Sequence, residues 1–91
     1  MKPDKNPPAY AIASVDNALR LATILQLEGE ISVADAAYRL GVARSTAHRL
    51  LQMLVYRDFA VQHSDRNYGA GPVLELAEYS QSATSRLRSV A

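Results

Sequence analysis

Apolar residues recur at helical spacing along much of the chain. Val15, Ala18, Leu19, Ala22 and Leu25, with Leu21 beside them, predict a first helix over 15–28, opened by Ser14 as N-cap with Asp16 in its positive first turn. Gly29 closes it, while Ile24 and Leu27 fall on its nominally polar side without an obvious neighbour. Ser32, with Asp35 three residues later, approximates a capping box, and Val33, Ala36, Ala37 and Leu40 form an apolar stripe that stops at Gly41. After the short link Gly41-Val42-Ala43, the stretch from Arg44 to Arg57 holds neither Gly nor Pro. It places Ala47, Leu50, Leu51 and Leu54 within an arc of about 100° on a helical wheel. A helix, a turn of this length containing Gly, and a second helix make the helix-turn-helix arrangement, with Gly where the chain must reverse.

Downstream the period changes. Phe59 to His63 alternates apolar and polar, Ser64-Asp65-Arg66 supplies turn formers, and Asn67-Tyr68-Gly69 returns, which predicts a short two-stranded wing. Gly71-Pro72 ends the wing and starts a helix through Val73, Leu74, Leu76 and Ala77, with Glu75 and Glu78 outward. Ala83, Leu87, Val90 and Ala91 form a last amphipathic face that meets no C-cap, as expected of a fragment of a longer protein. Residues 1–13 carry three of the four Pro, both Lys and no apolar period, and read as a flexible arm. The predicted fold is mostly α: a winged helix-turn-helix over 14–71, with a three-helix core and a two-stranded β wing, followed by linker helices over 72–91.

Composition narrows the function classes. Ninety-one residues, 48% apolar and 21% charged, describe one small domain, since a second core needs roughly 50 more residues. No Cys is present, which excludes disulfides and thiolate metal sites. No apolar run approaches the ~18 residues of a membrane span, and no signal-like stretch opens the chain, so a cytoplasmic protein is expected. The net charge of +1 hides a segregation: between Arg39 and Arg57 stand four Arg and no acidic residue.

That basic block coincides with the third predicted helix. Opposite its leucine stripe lie Ser45, Arg49, Gln52 and Tyr56, flanked by Thr46 and His48. Hydrogen-bond donors of this kind suit direct readout of base edges, because Arg forks onto guanine, Gln pairs with adenine, and Ser or Thr serves base or phosphate. A merely solvated helix surface would use the same residues. Arg44, Ser45 and Thr46 at the helix start make a candidate phosphate clamp, where unpaired backbone N–H groups already favour an anion. Ser32 either does likewise or only caps its helix, and Arg66 either reaches a backbone from the wing tip or is only solvated.

Catalytic chemistry finds little purchase. His48 and His63 fall on different elements, no HExxH or GxSxG motif occurs, and Glu75 with Glu78 reads as a solvated helix edge. No metal, no cofactor and no enzymatic activity are expected. A rival reading is a winged-helix protein-interaction module; the Arg-rich helix lacks the buried apolar anchors such interfaces centre on. RNA binding is disfavoured because no aromatic stacking platform is visible.

Three runs of residues carry a more specific signal: Ser14-Val15-Asp16-Asn17-Ala18-Leu19-Arg20, then Ala43-Arg44-Ser45-Thr46-Ala47-His48-Arg49-Leu50-Leu51-Gln52-Met53-Leu54, then Tyr68-Gly69-Ala70-Gly71-Pro72. By these, from Ser14 onward, the chain resembles the DNA-binding domain of IclR-type bacterial transcription regulators. The resemblance implies a winged helix-turn-helix whose recognition helix, Arg44 to Arg57, enters the major groove of double-stranded DNA. It further implies a homodimer or dimer of dimers on a pseudo-palindromic operator, tuned by a small-molecule effector through a C-terminal domain that these residues do not contain. Ala43 stands where the family often has Pro, and Asp58 where Gly is common, although Asp tolerates the left-handed backbone better than most. Gly69-Ala70 replaces a basic and bulky pair, which leaves Arg66 as the wing's candidate phosphate contact. For subunit pairing the candidates are Ile24 and Leu27 with the Ala83, Leu87, Val90, Ala91 stripe; the alternative is that Ile24 and Leu27 pack beneath the arm or the last helix.

Overall fold

Three helices form where the apolar periods place them. The structure is a computed structural model that describes residues 6–76. Its elements are α1 (Ala13–Glu28), β1 (Glu30–Ile31), α2 (Val33–Leu40), α3 (Arg44–Tyr56), β2 (Ala60–Gln62) and β3 (Tyr68–Ala70). Residues 72–76 begin a further helix at Pro72, where the missing N–H would have gone unpaired anyway. Ala77, Glu78, Ala83, Leu87, Val90 and Ala91 lie outside the described residues.

α1 starts earlier than its sequence signals suggest. Ile12 is the N-cap and makes no side-chain capping bond, so Ser14 sits inside the first turn rather than at the boundary. The chain reaches it through a turn in which the Ala11 N–H donates to the Pro8 carbonyl at 3.1 Å. Gly29 closes the helix at φ 89° with its N–H on the Leu25 carbonyl, the left-handed cap that glycine adopts without strain.

The buried face of α1 is rotated by roughly 50° from the predicted stripe, toward Leu21 and Ile24. Leu21 and Leu25 are fully buried and Ala18, Ala22 and Ile24 pack against the core, while Val15 and Leu19 are exposed. Apolar residues occupy most of the circumference of this helix, so spacing alone does not choose a face; packing against α3, β1 and β3 does. Ile24 thereby gains the neighbours its sequence position lacked, and Leu27 stays exposed. α3 is central, touching α1, α2 and β2, and its Ala47, Leu50, Leu51 and Leu54 complete the core with Ala36, Ala37 and Leu40 of α2.

The wing contains a third strand. Glu30–Ile31 adds to the hairpin, giving an antiparallel sheet in the order β1-β3-β2 with Ile31 opposite Tyr68 and Gln62 opposite Tyr68 on the other side. Between Gly29 and the N-cap Ser32 only two residues are available, too few to show an alternating pattern, so the sequence predicts two strands where three form. Ser64, Asp65 and Arg66 make the hairpin loop: the Asp65 carboxylate accepts from the Asn67 N–H at 3.0 Å, and Arg66 takes φ 72° as the left-handed residue of the loop. Asp58 at φ 68° likewise turns the chain out of α3, in the position where the resemblance expects glycine.

A charged clamp ties α2 to the end of α1. Arg39 donates to both oxygens of Glu28 at 2.8 and 2.6 Å and lies 3.6 Å from Asp35, while Arg20 donates to the Arg39 carbonyl at 3.1 Å. The Arg39 hydrogen bond, assisted by its charge, holds the Glu28 carboxyl below its ordinary value against a smaller opposing effect of burial. The folded state therefore gives up this proton more readily than the unfolded chain. Its stabilisation is complete above the ordinary value of 4.5 and fades as pH falls through the lowered one. Glu28→Gln should slightly lower the melting temperature at pH 7 and reduce its further fall between pH 5 and pH 3, a difference read from thermal melts at the three pH values.

Candidate nucleic-acid interface

α3 divides cleanly into two faces. Ala47, Leu50, Leu51 and Leu54 are buried, and Arg44, Ser45, Thr46, His48, Arg49 and Gln52 are all exposed on the other side. The helix runs unbroken over these residues because no Gly, Pro or capping side chain interrupts Arg44–Tyr56. Its N-cap is Ala43, which offers no side-chain acceptor, so the first-turn N–H groups beside Arg44, Ser45 and Thr46 face outward uncapped. The three-residue link before it is fixed by Gly41 at φ 71° and by the Val42 N–H donating to the Ala37 carbonyl at 3.0 Å.

Of the four Arg in the basic block, Arg39 is committed to Glu28 and Asp35. Arg44 and Arg49 have no ion-pair partner among the described residues, and Arg57 lies over the Tyr56 ring at 4.9 Å. The outward positive charge is thus concentrated on α3, more tightly than the linear sequence shows. Tyr56 and Met53 are exposed near its C-terminal end, where the donor-rich surface gives way to apolar area.

Ser32 and Arg66 stand on other elements. The Ser32 hydroxyl caps α2 by accepting from the Asp35 N–H at 3.1 Å, and its proton remains free to donate. The capping box is only half formed, because the Asp35 carboxylate turns to Arg39. Arg66 is exposed at the tip of the β2–β3 hairpin. Gly69 sits under His63, whose imidazole fills the space a side chain at 69 would need. At the position where the resemblance expects a basic residue, the backbone thus lies against the His63 ring that follows β2.

Gln52 has a partner that no spacing rule reveals. Its Nε2 donates to the Tyr68 hydroxyl at 2.7 Å, joining α3 to the central strand of the wing. Among the described residues no group of His, Asp or Glu is placed to hold a metal ion, and no helix is long and apolar enough to cross a membrane.

A Gly-linked helix pair with a three-stranded antiparallel wing defines a winged helix-turn-helix. The model of the IclR helix-turn-helix domain matches residues 14–64, and the chain belongs to that family. Among solved structures it is similar to an IclR transcriptional regulator from Alicyclobacillus acidocaldarius, with 32% identity and a TM-score of 0.65 over 71% of this chain and 27% of that one. HmgR from Pseudomonas aeruginosa is 27% identical with a TM-score of 0.64, covering 86% of this chain and 35% of its own. An IclR family regulator from Brucella abortus shares the fold at 16% identity, with a TM-score of 0.67 over all of this chain and 35% of that one. The chain thus spans about a third or less of the length of these solved proteins. No curated protein sequence matches it.

Proposed function

We propose that this domain binds double-stranded DNA sequence-specifically as the DNA-binding part of a transcription regulator, with α3 in the major groove. The observation that carries this reading is the outward face of α3, where six donor-bearing side chains are exposed opposite the buried leucine stripe and only Gln52 among them is tied to the core. Arg49, Gln52 and His48 are the base readers, and Arg44, Ser45 and Thr46 hold phosphate at the helix start with the uncapped N–H groups. Ser32 and Arg66 flank this surface as further phosphate contacts, from the start of α2 and the tip of the wing. The mechanism is binding, with no bond made or broken.

Two such domains acting on an inverted repeat would give the operator its symmetry, as a homodimer or a dimer of dimers. Support for pairing comes from apolar side chains left open on α1 and just beyond the wing: Ile12, Val15, Leu19 and Leu27, with Val73 and Leu76. Ile24 drops from this surface because it packs inward. A small-molecule effector, on this reading, acts on a part of the protein other than residues 6–76.

Selection of bound sites from random duplexes tests the proposal. Recovered sites should share a motif repeated in inverted orientation, and titration at two salt concentrations should give a log–log slope of about −3 per domain, as expected from the few cations on this face. No enrichment over input, or binding that a scrambled competitor removes equally well, would sink it.

A further inference from the structure

The hydrogen bond between Gln52 and Tyr68 links a residue of the proposed reading face to one that DNA cannot touch. Tyr68 is fully buried on β3, its ring in the core cluster, and its hydroxyl is the point where that core reaches the surface of α3. A buried tyrosine hydroxyl needs a partner, and here the partner is the Gln52 carboxamide at 2.7 Å. An exposed glutamine otherwise rotates about three side-chain bonds and presents either end of its amide. This one is anchored at Nε2, so one N–H is spent on Tyr68 while Oε1 and the second N–H remain.

We infer that Tyr68 is a specificity-determining positioning residue: by holding the Gln52 amide at one end, it fixes which base edge Gln52 reads. An acceptor and a donor side by side match adenine, whose N6 amino group donates and whose N7 accepts. Guanine and thymine offer only acceptors at their major-groove edges and would meet Oε1 unpaired. Anchoring also removes rotamer freedom before DNA arrives, so less is lost on binding. The inference rests on the reading that α3 enters the major groove.

Tyr68→Phe isolates the hydroxyl. The ring keeps its place in the core, and the freed Gln52 amide lies on an exposed residue that water can satisfy, so the variant should fold. Affinities are measured on duplexes changed one base pair at a time, for wild type, Tyr68→Phe, Gln52→Ala and the double variant. At the position whose preference Gln52→Ala abolishes, wild type should favour adenine by roughly tenfold and Tyr68→Phe by about twofold. Preferences elsewhere and the salt slope should persist, and Tyr68→Phe should add nothing in the Gln52→Ala background. In the free wild-type protein the Gln52 side-chain amide should be ordered by NMR relaxation, a reading that does not depend on whether Tyr68→Phe folds.

Unchanged preference at that position in Tyr68→Phe, an equal loss on every duplex, or a freely rotating Gln52 amide in the wild type would overturn the inference and leave groove binding standing. An absence of preference at every position in the wild type would overturn both.

Discussion

Gly71→Ala is expected to lower the melting temperature by roughly 15 °C, corresponding to about 3 kcal/mol in a domain this small. A Cβ there would stand 2.6 Å from the Asp58 carbonyl oxygen, 2.7 Å from the Ala60 nitrogen and 2.8 Å from the Phe59 carbonyl carbon. All three are backbone atoms, so no side chain can swing aside to relieve the overlap. The same corner is held by the Gly71 N–H on the Phe59 carbonyl at 2.9 Å and the Val73 N–H on the Asp58 carbonyl at 3.0 Å. Moving it would shift the wing against the end of α3. Gly41→Ala is the control: its φ of 71° strains an alanine, yet nothing lies within 4 Å of the new atom. That variant should lose about 1 kcal/mol, or roughly 5 °C. Circular dichroism melts of the two would reject the argument if Gly71→Ala proved the milder change.

On operator DNA, Arg49→Ala should weaken binding by about 1 to 3 kcal/mol, or roughly 5- to 150-fold, and relax the preference at one base pair. Arg49 lies on the exposed middle of α3 with no ion-pair partner among the described residues, so no competing carboxylate holds its guanidinium back from a partner. Arg44 sits at the helix start and should behave differently. Arg44→Ala should weaken operator and random duplexes alike and reduce the salt slope by about one. Fluorescence titrations on both duplexes at two salt concentrations separate the roles. Equal losses on operator and random DNA for Arg49→Ala would remove it from base readout.

The helix-turn-helix itself was plain in the sequence because its signals agree across levels. Gly41 sits where a left-handed residue is required, Ala36, Ala37 and Leu40 face inward as their spacing implies, and the α3 stripe is buried as predicted. α1 was harder, since apolar residues on nearly all sides leave the burial choice to tertiary contacts. Strand β1 was invisible because two residues carry no period. The donor-rich face of α3 could be read from the wheel, but its electrostatics could not. Arg39 leaves the basic block through an ion pair with a residue eleven positions away on another helix, and Gln52 acquires its partner across sixteen. Neither separation has a sequence signature; both follow only once the helices and sheet are packed.

The two-residue strand after α1 has a mechanical consequence. Glu30 and Ile31 are paired to β3, and the Ala70 N–H reaches back to the Gly29 carbonyl at 3.3 Å, so the hairpin is stitched to the helical body on its inner edge as well as through β2. These pairings restrain the base of the hairpin against the helices, so a movement of the wing relative to α3 would have to break them. If α3 enters the groove as proposed, a duplex whose groove geometry does not suit both elements would forfeit helix and hairpin contacts together, so that the stiffness of the protein would become a measure of the geometry of its target.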